Sequence, residues 1–178
     1  MVSQDDILYE FYNNDGILST EQLKELSGIS KEESIRSISK SMNSLIQKKL
    51  IGKVKGPKNS TIYFLTNPYY FLCDDNERIK HEKTHCLNVI KKVMEHHDEC
   101  KIFEKQDMII LKFSATYQIR NHLKLIKSII DMFGNCLKYV LHDNYILVTG
   151  KTHLEIDVFN INHFLKEEKE INFKNTIK

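Results

Sequence analysis

Residues 16–66 read GILSTEQLKELSGISKEESIRSISKSMNSLIQKKLIGKVKGPKNSTIYFLT, and this stretch decides the fold of the first half of the chain. It predicts a short helix, a tight turn centred on Gly28, and a longer second helix. Ser30 and Glu33 form an S-x-x-E capping box, in which each side chain accepts a hydrogen bond from the other residue's backbone amide. The second helix is therefore expected to begin immediately after Ser30, and residues 52–65 follow as a β-hairpin.

The second predicted helix is amphipathic. Its apolar face carries, at helical spacing, Ile35, Ile38, Met42, Leu45 and Ile46. The opposite face carries small hydroxyls and cations, and it extends to Gln47. Such a face suits a helix that enters the DNA major groove, because bulky side chains would prevent close approach. Arg36 is the candidate for base contact, since its guanidinium can bind guanine with two hydrogen bonds. The candidate DNA-contacting residues of this helix are Lys31, Arg36, Ser37, Lys40, Ser41 and Ser44.

The predicted hairpin has a basic tip. Gly56-Pro57 and Asn59-Ser60 are turn-forming pairs, so the loop between the two strands is expected to be mobile and exposed. Cations at such a tip would contact DNA phosphates, which sets the position of a protein on the duplex without reading bases. The candidate contacts of the hairpin are Lys53, Lys55, Lys58, Asn59 and Ser60.

Positive charge is concentrated in the same segment. The whole chain carries a net charge of only +2, which says little about its partners. Between residues 31 and 60, however, Glu32 and Glu33 are the only acids, whereas lysines and Arg36 recur throughout. A cationic helix and hairpin are the electrostatic pattern expected for contact with nucleic-acid phosphates.

The stretch resembles the winged helix-turn-helix domain of prokaryotic transcription regulators, the class that includes MarR-, ArsR-, TrmB- and Lrp-type proteins. The residues that carry the resemblance are Gly16-Ile17-Leu18-Ser19, then Leu23-x-x-Leu26-Ser27-Gly28-Ile29-Ser30, then Leu45-x-x-x-x-Leu50-Ile51. It covers residues 3–67, and it implies a DNA-binding domain with a recognition helix and a wing. Winged helices also serve as protein-interaction modules in replication and transcription assemblies, and this alternative stays open.

The second half of the chain predicts an α+β arrangement. Residues 74–99 read as one long helix, preceded by a helix over 4–13 at the start of the chain. After the long helix, the pattern predicts a hairpin, a helix, a second hairpin, a last strand and a short helix, with one helix covering one sheet face. These elements are expected at residues 101–113, 118–133, 137–148, 154–158 and 162–166.

The long helix carries a near-heptad apolar stripe, made by Ile79, Cys86, Ile90, Val93 and His97. Regulators of the resembled class usually dimerise through a long helix after the wing, so the stripe is a candidate dimer seam. An equally favoured alternative is that the stripe packs against the C-terminal domain of the same chain.

The predicted fold is therefore α+β with three parts. Residues 1–72 form the winged helix-turn-helix DNA-binding domain, 73–99 the linking or dimerisation helix, and 100–178 a dimerisation or effector domain. The predicted function is sequence-specific binding of double-stranded DNA as a transcription regulator. A homodimer on a pseudo-palindromic site is expected, with an unidentified small molecule or protein as effector.

Motifs of other functional classes are missing from the sequence. It contains no G-x-G-x-x-G, P-loop, H-E-x-x-H or nucleophile elbow, so no enzymatic activity and no cofactor are predicted. It also has no apolar run of membrane-spanning length and no signal-peptide pattern at its start, so a cytoplasmic protein without membrane contact is expected.

Histidines and cysteines raise the question of a metal site. His81 and His85 lie four positions apart, so one face of a helix could present both imidazoles to one ion. His96 shares that face but lies roughly 16 Å further along at 1.5 Å per residue, so a second subunit would have to supply it. Surface histidines are the preferred interpretation, and no metal ligand is predicted. The wider group is His81, His85, Cys86, His96, His97 and Cys100.

Overall fold

The computed structural model describes residues 2–26, 32–56, 60–66, 75–105 and 107–150. Within these ranges the chain is α+β, with five helices and two antiparallel sheets, as the sequence predicts at that level. The predicted strand at 154–158 and helix at 162–166 lie outside the described residues. The same is true of three candidate DNA contacts, namely Lys31, Lys58 and Asn59.

The first half contains three helices and a three-stranded sheet. Its elements are α1 (Gln4–Asn13), β1 (Ile17–Ser19), α2 (Thr20–Leu26), α3 (Glu32–Gln47), β2 (Ile51–Lys55) and β3 (Thr61–Leu65). The strand order is β1-β3-β2, with both pairs antiparallel. The bounds predicted for α1 are confirmed, and its start is fixed locally. Ser3 Oγ accepts a hydrogen bond from the backbone amide of Asp6 at 3.1 Å, and the Asp6 carboxylate accepts one from the Ser3 amide at 3.0 Å.

The second half contains two helices and a four-stranded sheet. Its elements are α4 (Asp75–Met94), β4 (Cys100–Lys105), β5 (Met108–Phe113), α5 (Thr116–Met132), β6 (Lys138–His142) and β7 (Tyr145–Thr149). The strand order is β4-β5-β7-β6, and every neighbouring pair is antiparallel. The two predicted hairpins are confirmed. The long helix ends at Met94 and not at residue 99, because His96, His97 and Asp98 are weak helix formers.

The apolar stripe of α4 packs inside its own chain. Its members Cys86, Ile90 and Val93 are buried, together with the neighbouring Leu87, Val89 and Met94, whereas Ile79 at the start of the stripe is 44% exposed. They share one hydrophobic core with residues of α5, with the inner face of the second sheet, and with Val54, Ile62 and Phe64 of the first sheet. Of the two alternatives for the stripe, the structure therefore shows packing within the chain. Both α4 and α5 contribute to this core, where the sequence predicted a single covering helix.

One aromatic stack and one histidine hydrogen bond join the first sheet to the second half. The ring of Phe64 on β3 stacks on Phe133, just after α5, with centroids 5.6 Å apart. His85 of α4 is buried, and its Nε2–H donates to the carbonyl oxygen of Leu65 at 2.7 Å. The His85 ring also lies against Gly16, where a Cβ atom would come within 2.8 Å of His85 Cε1. Gly16 has a φ of +76°, so both its conformation and its neighbour require glycine.

Candidate nucleic-acid interface

The open face of α3 carries a line of four polar side chains. Arg36 and Lys40 are exposed as predicted, and Asn43 and Gln47 are exposed beside them. At about 100° per residue, positions 4, 7 and 11 after Arg36 point within about 40° of its direction. Asn43 is missing from the predicted contacts, although this spacing was readable in the sequence. Its side-chain amide can form two hydrogen bonds with adenine, so it belongs to the candidate interface.

The three predicted hydroxyls of α3 are half-buried and bond to the start of the chain. Ser37 Oγ accepts from the Val2 amide at 3.1 Å, and Ser41 Oγ donates to the Val2 carbonyl at 3.0 Å. Ser44 Oγ accepts from the Gln4 side-chain amide at 3.0 Å. The sequence predicted these three serines on the solvent-exposed face of α3. The structure instead places them against the start of the chain.

Packing of α1 across α3 explains this correction. Ile7 and Phe11 of α1 share a hydrophobic cluster with Met42 and Leu45 of α3. That contact places the amino-terminal end of α1 over the side of α3 that carries Ser37, Ser41 and Ser44. A helical projection gives the direction of each serine but not the neighbour that covers it. The three hydroxyls therefore hold α1 against α3. The exposed side chains of Arg36, Lys40, Asn43 and Gln47 are the part of α3 that stays accessible to a ligand.

The hairpin lysines lie beside this line. Lys53 and Lys55 are exposed on β2, alternating with the buried Val54. Lys53 lines a groove of about 250 Å³ together with Ser39 and Asn43 of α3. The structure thus brings the outer side of β2 and the open face of α3 to one surface. At the hairpin end, the Ser60 carbonyl accepts from the Gly56 amide at 2.8 Å, which closes the loop.

A larger basic cleft continues from this surface to the second half. It has a volume of about 850 Å³ and lies between the end of α3, β2 and α5. Its lining includes four lysines and one acid, which are Lys49, Lys53, Lys124, Lys127 and Asp131. Lys124 and Lys127 were not among the predicted contacts, because their nearness to β2 depends on how α5 packs. Lysines from the two halves of the chain therefore line one cleft.

Of the two histidines considered as a metal pair and expected on the surface, His85 is buried, so that expectation is corrected for His85. Nε2 of His85 is used in its bond to Leu65, and burial, the main cause, lowers the pKa of His85 to about 4. Among the described residues, one group of three His, Cys, Asp or Glu side chains brings its ligand atoms within 4.8 Å of one another, and it consists of His97, Glu99 and His122. Burial, the main cause, and the neighbouring His122 lower the pKa of His97.

His97 belonged to the wider predicted group, but Glu99 and His122 did not. His122 lies 25 positions after His97, and no local spacing connects the two. Only the packing of α5 against the end of α4 brings them together, so no pattern in the sequence could have found the group.

Comparison of the chain with protein-family models, with curated proteins and with solved structures finds no match. Within the described ranges, the helices are all too short or too polar to cross a lipid bilayer. A function therefore has to be inferred from the side chains of the chain itself.

Proposed function

We propose that the chain binds double-stranded DNA as a transcription regulator through a winged helix-turn-helix in its first half. Support comes from the order helix, strand, helix, helix, strand, strand, closed by a three-stranded antiparallel sheet. In this assignment α2 and α3 are the two motif helices, α3 is the recognition helix, and the β2–β3 hairpin is the wing. The assignment matches the resemblance that residues 16–66 show in the sequence.

One observation carries the proposal, namely the exposed polar line on α3 next to exposed lysines on β2. Arg36, Lys40, Asn43 and Gln47 project from one side of α3, and no described element covers them. A helix with such a side fits the width of the major groove. Arg36 and Asn43 have the donor and acceptor geometry to read guanine and adenine edges, whereas lysines suit phosphates.

The wing lysines supply the backbone contacts in this proposal. Lys53 and Lys55 are exposed on the solvent side of β2, and Lys53 lines the groove that Asn43 also lines. Phosphates flanking the major groove would therefore meet these cations while α3 occupies the groove. Lys124 and Lys127, across the larger cleft, extend the same positive surface toward a longer stretch of duplex.

Salt dependence of binding tests the proposal. The affinity for a duplex is expected to fall steeply as salt rises, because bound lysines release counterions from phosphates. The double variant Lys40→Ala with Lys55→Ala should reduce the slope of log affinity against log salt by about 2, at about 0.9 for each lost phosphate contact. The matched control is Lys92→Ala with Lys101→Ala, which removes two exposed lysines from α4 and β4.

Two outcomes would contradict the proposal. One is the absence of duplex binding even at low salt, and the other is an equal change of slope in both double variants. In the first case the alternative, a winged-helix protein-interaction subunit of a replication or transcription assembly, becomes the better explanation. The groove between α2, α3 and β2 supports that alternative, because Leu23, Ile38 and Ile46 give it an apolar floor.

A homodimer on a pseudo-palindromic site is part of the proposal. Since the stripe of α4 packs in the core of its own chain, the dimer would have to use another surface. Sedimentation of the purified protein tests this point, because a monomer would be expected to bind a site without symmetry. A small-molecule or protein effector bound to the second half would act on the strands of the wing through the shared core, because Val54, Ile62 and Phe64 belong to it.

A further inference from the structure

Three potential metal ligands meet where α4, β4 and α5 come together. His97 lies in the turn after α4, Glu99 directly precedes β4, and His122 lies in α5. His122 Nε2 is 3.1 Å from Glu99 Oε1 and 3.3 Å from His97 Nδ1. His97 Nδ1 is 3.8 Å from the same glutamate oxygen. Three donor atoms of the kinds that bind transition metals thus converge on one point.

The size of this triangle fits a tetrahedral metal ion. Zinc binds nitrogen and oxygen ligands at about 2.0–2.1 Å, and tetrahedral angles then place neighbouring ligand atoms about 3.3 Å apart. The three separations of 3.1, 3.3 and 3.8 Å lie close to that value. An ion could therefore be bound with movements of a few tenths of an ångström in the side chains.

The tautomer of His122 also favours ligation. Its Nδ1 lies 2.7 Å from the carbonyl oxygen of Gln118, so this nitrogen carries a proton and donates it. In the neutral ring, Nε2 then presents a lone pair toward the Glu99 carboxylate. Two lone pairs 3.1 Å apart repel unless a cation, either a proton or a metal ion, lies between them. A backbone carbonyl that holds the second ring nitrogen is the usual support of a metal-bound histidine.

The two imidazole rings are held in position by packing. They meet edge to face, with centroids 4.7 Å apart, and Phe113 lies 5.0 Å from the His122 ring. His97 Nε2 is buried and has no hydrogen-bond partner among the described residues, so a ring proton on Nε2 has no described acceptor, and metal binding has to offset that cost. In that tautomer His97 Nδ1 is free to bind a metal ion.

We propose that His97, Glu99 and His122 bind one divalent transition-metal ion, with zinc as the preferred occupant. Two imidazoles and one carboxylate are a donor set that zinc uses, whereas calcium and magnesium prefer oxygen ligands alone. The Glu99 side chain is 36% exposed, against 14% for His97 and 8% for His122. The ion would therefore enter from the Glu99 side and keep its fourth position open to water. This site is independent of the proposed DNA binding.

Metal titration of the full chain tests the site. After treatment with a chelator, calorimetry with zinc should give one ion per chain, and cobalt(II) should give the visible absorption of a tetrahedral complex. Glu99→Gln should weaken zinc binding by at least about tenfold, because a charged ligand is lost. His122→Gln should do the same. His96→Gln is the matched control, since His96 is exposed in the same turn and lies outside the group of three ligands. The zinc affinity of this variant should equal that of the wild type.

Three results would overturn the proposal. They are a stoichiometry near zero in the wild-type chain, an equal zinc affinity in Glu99→Gln and His96→Gln, and a cobalt spectrum typical of octahedral coordination. Because His122 is buried, its variant could unfold. Glu99→Gln alters a partly exposed side chain without changing its size. If far-UV circular dichroism shows that His122→Gln has not folded, the zinc affinity of Glu99→Gln tests the site by itself.

Discussion

At the scale of single residues, Arg36 is the sharpest test of base recognition. Its side chain is exposed on the open line of α3, with no described neighbour covering it. Arg36→Ala is expected to relax the preference at one base pair, by about 1–3 kcal/mol, because a bidentate contact to guanine is lost. Selection of binding sites from a randomised duplex library measures this change. Arg120→Ala removes an exposed arginine of α5 and should leave the sequence profile unchanged. An unchanged profile in Arg36→Ala would refute the assignment.

His85 makes the stability of the fold depend on pH. Its pKa is lowered to about 4 by burial, which outweighs the opposing effects of the bond to Leu65 and of Asp15. In the unfolded chain the pKa of histidine is about 6.5. Above that pH both states are neutral, so His85 adds no pH dependence. As the pH falls from 6.5 to 4, the unfolded state takes up a proton and the folded state does not, so stability is lost. The difference corresponds to about 3 kcal/mol.

Chemical denaturation at a series of pH values measures this effect. His85→Gln should reduce the loss of unfolding free energy between pH 6.5 and 4, because glutamine can donate to the Leu65 carbonyl without titrating. The same pH profile in His85→Gln and in the wild type would show that another group causes the loss.

At the scale of elements, the contact between α1 and α3 gives the serines a structural role. Ser41→Ala removes the donor to the Val2 carbonyl, and a part-buried hydrogen bond of this kind contributes about 1 kcal/mol. The expected result is a lower unfolding free energy with an unchanged DNA sequence profile. Ser39→Ala, at an exposed position of α3, should change stability little. If Ser41→Ala changes the base preference of the protein without lowering its stability, Ser41 contacts DNA bases and the structural role assigned to it is wrong.

The elements that the sequence predicted well are those determined by short-range signals. Ser3 caps α1 within one turn, and the hairpin around Asp143-Asn144 follows from alternating strands that flank a turn. Contacts between distant elements were not predictable, because a pattern gives the direction of a side chain but not its neighbour. This is why the serines of α3 and the group of His97, Glu99 and His122 emerge only from the three-dimensional packing.

At the scale of the whole molecule, the first sheet and the second half share one core. Val54, Ile62 and Phe64 come from the predicted DNA-binding domain, yet they belong to the same cluster as α4, α5 and the second sheet. The predicted division at residue 72 separates sequence patterns, but a core that crosses it makes the two parts depend on each other for stability. Binding of a ligand to α3 is therefore expected to stabilise both halves.

Phe133 offers a direct test of this dependence, because it is almost fully buried and stacks on Phe64 of the first sheet. Phe133→Ala should lower the unfolding free energy by about 3–5 kcal/mol, since a large buried ring leaves a cavity. Hydrogen exchange should then show a parallel loss of amide protection in β3 and in β7. Tyr117→Ala is the control, because Tyr117 is 71% exposed near the start of α5 and its loss should leave both strands protected. If β7 loses protection in Phe133→Ala while β3 keeps it, the halves unfold independently, and a signal could not pass from the second half to the first sheet through the core.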